Sequence, residues 1–354
     1  MDLDSKKVFK TLNPNKIWIP VLIGISIVLY LFYSDPDLTA SKLRLIFDAS
    51  AISIIVAFLV ILARDAGYVY RIRTLTDKKL SWTSSIYVII LWEFASAVTP
   101  SVVGGTAVAV FILNKEGITL GKSMAFAMLT AILDNMFFVL AAPIVMFFTQ
   151  GQIFPDLPSI EMRLGNSLKY LFIISYLLIA IYTFAMSFAL FYRPRTFKWL
   201  LMKLTGFKIL KRWRFKAYEH GNEIIWASSQ LKGKKASYWI KICLATIFVW
   251  CARYVMLNCL ISAFADINFN DHITIFSRQI IMWIVMLISP TPGSSGTAEF
   301  FFTQFFTRFL GDYTFVTNIS WRMLSYYPYL LLGAIFLPKW VRKVFFKKNK
   351  VEEA

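Results

Sequence analysis

Ten apolar segments, at residues 17–33, 45–63, 82–98, 101–113, 121–149, 168–192, 239–263, 273–290, 298–310 and 317–337, push almost all of the charge into the loops between them. A helix needs about 20 apolar residues to cross a hydrocarbon layer. The pattern therefore predicts an all-α polytopic membrane protein. With 58% apolar residues, 33 Phe and 11 Trp in 354 positions, the composition lies outside the soluble globular range. A net charge of +18 could suggest a nucleic-acid partner, but the basic residues sit between apolar segments and form no single basic domain, so none is expected. Cys243, Cys251 and Cys259 all fall in one apolar segment, which supplies neither a disulfide framework nor a zinc pattern. Neither a metal nor a cofactor is expected.

Two of the ten segments are too short to cross. Residues 101–113 and 298–310 reach only about 20 Å at about 1.5 Å per residue, and each follows a run of helix breakers. The longer run is Ser289-Pro290-Thr291-Pro292-Gly293-Ser294-Ser295-Gly296-Thr297-Ala298-Glu299. Its prolines remove backbone donors and its glycines supply unusual dihedrals, so the chain must open there. Interrupted backbone at membrane depth is tolerated only where protein or a water-filled cavity supplies the missing hydrogen bonds. A second copy, Thr99-Pro100-Ser101-Val102-Val103-Gly104-Gly105-Thr106-Ala107, repeats the order 192 residues earlier, which reads as an internal duplication.

Loop charge assigns the sides. Residues 1–16, 64–81, 114–122, 193–241 and 339–354 hold 30 of the 38 basic residues and belong to the cytoplasm by the positive-inside rule. The acid-rich loops around Asp35 and Asp37, Asp156 and Glu161, Asp266 and Asp271, and Asp312 belong outside. One path satisfies both sets with cytoplasmic termini: six crossing helices (17–33, 45–63, 121–149, 168–192, 239–263, 317–337) plus two re-entrant hairpins. Residues 82–113 dip in from the cytoplasm and 273–310 from outside. Two fully spanning pairs in place of the hairpins would keep the same sides. On the first path the halves, about 45–149 and 239–337, form an inverted-topology repeat, an arrangement that points to transport at a midplane site between broken helices. The first 16 residues lead into 17–33 with no small-residue cleavage site, so a retained first helix is expected. Residues 193–236 interleave Trp199, Trp213 and Trp226 with arginine and lysine, and residues 64–80 look like a shorter version; both are expected to lie on a membrane surface with anionic headgroups.

Ionisable groups inside apolar segments are expensive and mark function. Glu299 is expected in the first turn of the returning half-helix, where free N–H groups favour an anion. By depth, Arg322 lies about 8 Å from the outer end of its segment and Asp134 about 20 Å from the inner end of its own. In a layer about 30 Å thick these nearly coincide, so Arg322 is expected either to pair with Asp134 or to bind a phosphate. Glu93 and Arg253 are further candidates with open roles. The transport site is expected to use Pro100, Gly104 and Gly105 in one half and Pro292, Gly293, Gly296, Glu299 and Arg322 in the other, with Asp134 between them. A membrane-embedded enzyme would need a nucleophile or a metal. His220 and His272 fall on opposite sides, so no catalytic residues are assigned.

The run from Pro290 to Glu299, followed by Trp321-Arg322-Met323-Leu324-Ser325-Tyr326-Tyr327-Pro328, resembles the flippase-like integral membrane family that shares the transmembrane region of lysylphosphatidylglycerol synthases. The likeness extends over about residues 15–340. It implies movement of a phospholipid or a polyprenyl-linked headgroup between leaflets of a bacterial cytoplasmic membrane, with Glu299 and Arg322 as motif residues. Where many members carry a Gly-Glu pair in the first half, this chain has Gly104-Gly105-Thr106. No soluble transferase domain is expected after Ala354, so synthase activity is not inferred. The other readings are an ion-coupled carrier of a small anion and a membrane partner of a separately encoded lipid-modifying enzyme.

Overall fold

The computed structural model describes residues 39–99, 102–149, 153–155, 167–207, 210–287 and 292–346. The expected first span at 17–33, Pro100, the first part of the second breaker run and the end of the basic tail lie outside the described residues. After a short lead-in helix, Ala40–Arg44, the chain forms α1 (Ala51–Leu75), α2 (Trp82–Val98), α3 (Val102–Lys115), α4 (Leu120–Phe148), α5 (Ser167–Ser187), α6 (Pro194–Leu204), α7 (Arg214–Leu231), α8 (Ala236–Ile261), α9 (Phe269–Met286), α10 (Thr297–Leu310), α11 (Thr314–Ser325) and α12 (Tyr327–Val341). Among the described residues there is no strand. Helices α1, α4 and α8, and α5 with the turn that carries it on to Tyr192, are each long and apolar enough to cross a membrane. The protein is a helical, multi-pass membrane protein.

Two boundaries differ from the sequence expectation. Helix α1 does not stop near residue 63; it runs on to Leu75, so most of the expected interfacial segment 64–80 is the last three turns of a long helix. It continues because Arg64 and Arg71 find partners in the interior, as described below, and the buried stripe Ala57, Ile61, Arg64, Tyr68, Arg71 and Leu75 keeps helical spacing throughout. The last apolar segment is not one helix. It breaks at Tyr326 (φ −127°, ψ −58°), two residues before Pro328, which has no N–H and crowds the preceding turn.

Helices α1 and α8 form an antiparallel seam. At one end the Ser50 N–H donates to the Ala263 carbonyl at 2.8 Å, and at the other the Tyr238 hydroxyl donates to the Leu75 carbonyl at 3.2 Å. Lys234 pairs with Asp77 just beyond that second end. Gly67 lets the helices meet: a Cβ there would press on Val249 and Phe248 of α8. Close approach at a small residue is the usual means by which helices pack in a medium as apolar as themselves.

Two helical hairpins pack around the seam from opposite ends. The legs of the first, α2 and α3, touch where a Cβ on Gly105 would strike Ser96. Its feet lie together, with Lys343 at the end of α12 placed 3.5 Å from Ser84 and 3.3 Å from Glu116. The second, α9 and α10, is tied by Arg278, which donates to the Phe305 carbonyl at 2.7 Å. Its feet are at the other end of the seam: Asn258 donates to the His272 carbonyl at 2.8 Å, and Tyr313 lies 3.5 Å from Asp48. The tips meet at the break in the last segment, where the Tyr326 hydroxyl donates to Ala97 of the first tip at 3.2 Å and lies 3.5 Å from Ser295 of the second. The basic segment after residue 193 forms α6 and α7, joined by Lys198, which bonds Asn222 at 2.6 Å over the ring of Tyr218. Trp199, Trp213 and Trp226 remain exposed on this pair.

Replacing Gly67 with leucine is expected to destabilise the detergent-solubilised protein by about 1–3 kcal/mol through overpacking of the seam. Gly121→Ala, whose Cβ would meet Trp226 only at 3.6 Å, should leave stability unchanged or raised. Thermal unfolding midpoints of the two variants check the pair.

Candidate functional site

Charged side chains of α1, α2, α4 and α8 converge on a cavity of about 520 Å³. Its walls carry Arg71, Glu93, Asp134 and Arg253, and its floor includes Thr99 of the first hairpin tip and Gly293 and Ser294 of the second. The volume falls within the range of about 300–1,000 Å³ usual for small-molecule sites. Apolar side chains such as Ile72, Leu75 and Ile89 share the same lining, so the cavity offers charge and hydrocarbon side by side.

Arg71 and Asp134 form the tightest pair. Both guanidinium Nη atoms face the carboxylate, at 2.5 and 3.3 Å, and Arg71 also donates to Thr246 at 3.2 Å. Trp250 of α8 completes the carboxylate by donating its indole N–H to Asp134 at 2.9 Å. The Tyr68 ring lies between two guanidinium groups, Arg71 at 5.0 Å and Arg64 at 5.5 Å from its centroid. Its hydroxyl accepts from Arg253 at 3.3 Å. Arg253 in turn stands 3.6 Å from Glu93, and shares Tyr68 and Trp250 with the Arg71 pair. Behind this cluster Arg64, fully buried, is held by Asp65 at 2.7 Å and by the hydroxyl of Tyr329, which itself donates to Asp65 at 2.8 Å. Arg64 and Arg71 are buried, so each must be answered by protein, whereas Arg253 and Glu93 are partly exposed to the cavity.

The expected pairing of Arg322 with Asp134 does not occur. Arg322 lies 2.7 Å from Glu299, and its two Nη atoms donate to the Gly293 and Ser294 carbonyls at 3.4 Å. Similar depth does not bring two residues together, because azimuth decides: α11 packs on the second hairpin, while the Asp134 face of α4 turns toward α1 and α8. Glu299 also accepts from the Gly296 N–H at 2.6 Å, closing the first turn of α10. Gly293 and Gly296 adopt positive φ, 55° and 81°, and a Cβ on Gly293 would run into the Tyr326 ring. Pro292 opens the short turn that carries Gly293.

Of the sequence candidates, the structure brings Asp134, Glu93, Arg253 and Gly293 to the cavity. Glu299, Arg322 and Gly296 stand behind its floor as braces of the second tip. Gly104 and Gly105 lie in the first turns of α3, with Gly105 at the contact between hairpin legs, and Pro100 lies outside the described residues. Sequence reasoning missed Arg64, Tyr68, Arg71 and Trp250. The continued helical spacing of buried positions beyond residue 63, with no proline to stop it, was the available signal. Among the described residues no three His, Cys, Asp or Glu side chains converge as metal ligands would.

This arrangement defines the class: a helical membrane protein with two opposed hairpins meeting at a charged interior cavity. The chain belongs to the lysylphosphatidylglycerol synthase transmembrane-region family, whose model matches residues 17–333. It is also 24% identical over 347 residues to a UPF0104 membrane protein of Archaeoglobus fulgidus, an alignment covering 94% of this chain and 99% of that protein.

Arg71→Met should strand Asp134 and cost about 3–5 kcal/mol, the usual penalty for removing one partner of a buried pair. The double variant Arg71→Met, Asp134→Leu should recover most of that loss. Thermal unfolding of the single and double variants in detergent checks both.

Proposed function

We propose that this protein moves a lipid with a charged headgroup, a phospholipid or a polyprenyl-linked species, between membrane leaflets. The observation that carries the reading is the cavity, in which two guanidinium groups and two carboxylates share walls with aliphatic side chains inside an apolar bundle. A lipid is charged at one end and hydrocarbon at the other, and this lining matches both ends. The two hairpins support it: their feet lie at opposite ends of the α1–α8 seam and their tips meet at Tyr326. In a bilayer this is two re-entrant hairpins of an inverted repeat, entering from opposite faces, the arrangement of alternating-access carriers. The family description, which names a region of a lipid synthase, is consistent with a lipid substrate.

In this reading Glu299 and Arg322 act at one remove. They hold the Gly293–Gly296 turn so that its backbone forms the cavity floor, and movement of that turn against Tyr326 opens or closes the site. The membrane is the cytoplasmic one, with both termini inside. The basic α6–α7 pair lies at its inner surface, against anionic headgroups. An ion-coupled carrier of a small anion would use the same charges but would not need the aliphatic wall.

Two measurements test this. Reconstituted protein should equilibrate fluorescent phospholipids between leaflets. Gly293→Ala and Arg322→Ala should each slow the process by about tenfold or more by displacing the floor, since misplacement by about 1 Å can cost two orders of magnitude. Rates equal to wild type in both variants would remove the second tip from the mechanism. Single cysteines at Asn114 and Asp312 should be labelled from opposite sides of the membrane; labelling from the same side would refute the opposed hairpins.

A further inference from the structure

We infer that Arg253 is the group that receives a phosphate-bearing anion in the cavity, and that Glu93 is the counter-ion this anion displaces. The inference rests on the reading of the cavity as the binding site and adds which residue does the binding.

The four interior arginines around the site are not equivalent. Arg71 is occupied by both oxygens of Asp134 and by Thr246. Arg64 is fully buried, does not line the cavity, and is held by Asp65 and Tyr329. Arg322 spends its Nη donors on the carbonyls of the second tip. Arg253 alone among these four lines the cavity without a close carboxylate: Glu93 stands 3.6 Å away, beyond direct hydrogen-bond length. Its one hydrogen bond among the described residues is to the Tyr68 hydroxyl at 3.3 Å, and its Nε is buried with no partner there. A guanidinium with free donors in a fixed fork matches two oxygens of a phosphate. It is kept in place by the Trp250 ring beneath it, 5.1 Å from the centroid, and does not depend on Glu93 for orientation.

The acids and bases on the cavity wall balance: Arg71 and Arg253 against Asp134 and Glu93. An incoming anion therefore competes with a carboxylate already nearby. It cannot displace Asp134 cheaply, because Asp134 holds Arg71 through two bonds and Trp250 through a third. It can displace Glu93, which sits at arm's length. Tyr68 adds a hydroxyl that can donate to the bound oxygens once Arg253 turns to them, and Ser96, Thr99 and Thr106 bring further hydroxyl groups to the same space. The ligand chemistry is a phosphate monoester or diester, free in solution or carried as a lipid headgroup.

The sign of one variant separates this from a structural role for the pair. If Glu93 were a structural partner, Glu93→Gln would loosen the site; as a competing counter-ion, its removal should tighten anion binding by about fivefold, the scale of a partly exposed ion pair. Purified full-length protein in detergent would be titrated with inorganic phosphate and, separately, with a soluble glycerophosphodiester, using calorimetry and thermal shift. Glu93→Gln should bind more tightly than wild type. Arg253→Lys, which keeps the charge and loses the fork, should bind at least about tenfold more weakly. Saturable binding in Glu93→Gln with none detectable in wild type would also support competition. Equal or weaker binding by Glu93→Gln, undiminished binding by Arg253→Lys, or no binding of either probe to any variant would overturn the inference. Tighter binding of the glycerophosphodiester marks a lipid headgroup as the source, and tighter binding of phosphate marks a free anion; both leave Arg253 as the receiving group. Failure of leaflet equilibration in vesicles alongside tighter phosphate binding by Glu93→Gln would reject the lipid reading and leave this one standing.

Discussion

Guanidinium groups inside an apolar bundle dictate much of this architecture. Arg64 and Arg71 on α1 and Arg253 on α8 all face inward along the one antiparallel seam. An arginine cannot shed its proton to escape burial, so each must be met by carboxylate, hydroxyl or aromatic face. Tyr68 meets all three, with its ring between Arg64 and Arg71 and its oxygen at Arg253. The remaining partners come from elsewhere in the chain: Asp134 from α4, Glu93 from α2, Tyr329 from α12. The electrostatic demands of one seam thus recruit helices from both halves of the sequence, and the cavity is the space left where those helices converge.

The second constraint is backbone. A hairpin tip in an apolar interior exposes carbonyls and N–H groups that need partners. At the second tip, Arg322 covers the Gly293 and Ser294 carbonyls while Glu299 covers the Gly296 N–H, and the two side chains neutralise one another. The first tip is handled differently. Val108 stands at the position that matches Glu299, and Tyr326 reaches across to the Ala97 carbonyl. The two tips therefore differ: the second carries an ion pair, whereas the first takes a hydroxyl from Tyr326. The break of the last segment at Tyr326, imposed by Pro328, puts that hydroxyl between the tips.

How much of this could be read from the sequence follows from what each signal measures. Helix breakers and apolar length are local, so the interruptions near Pro100 and Pro292, and the helical bundle itself, were legible. Loop charge is a statistical rule about sides, and it misread residues 64–75, where arginines belong to a helix that continues inward. A count of basic residues cannot tell a solvated arginine from one answered by Asp134, because the answer lies 63 residues away. The depth comparison of Arg322 with Asp134 failed for a related reason. Rise per residue gives height along a helix but not the direction a side chain faces, and only packing sets that direction.

The same geometry sets Glu299 and Arg322 against backbone. Glu299 and Arg322 stand out in sequence because charge next to a broken helix is rare, and rarity invites the reading of a ligand-binding pair. Yet both are engaged with the backbone of the turn they flank, and neither lines the cavity. Residues that fix a strained turn are under tighter geometric constraint than residues that touch a mobile ligand, since Gly293 at positive φ under the Tyr326 ring has little room for error. The pair divides this task, since loss of Arg322 would free the Gly293 and Ser294 carbonyls and loss of Glu299 would free the Gly296 N–H. Of the charges that do line the cavity, Asp134, Glu93 and Arg253 stand out in sequence as ionisable groups within apolar segments, whereas Arg71 is hidden because its stretch reads as a basic loop.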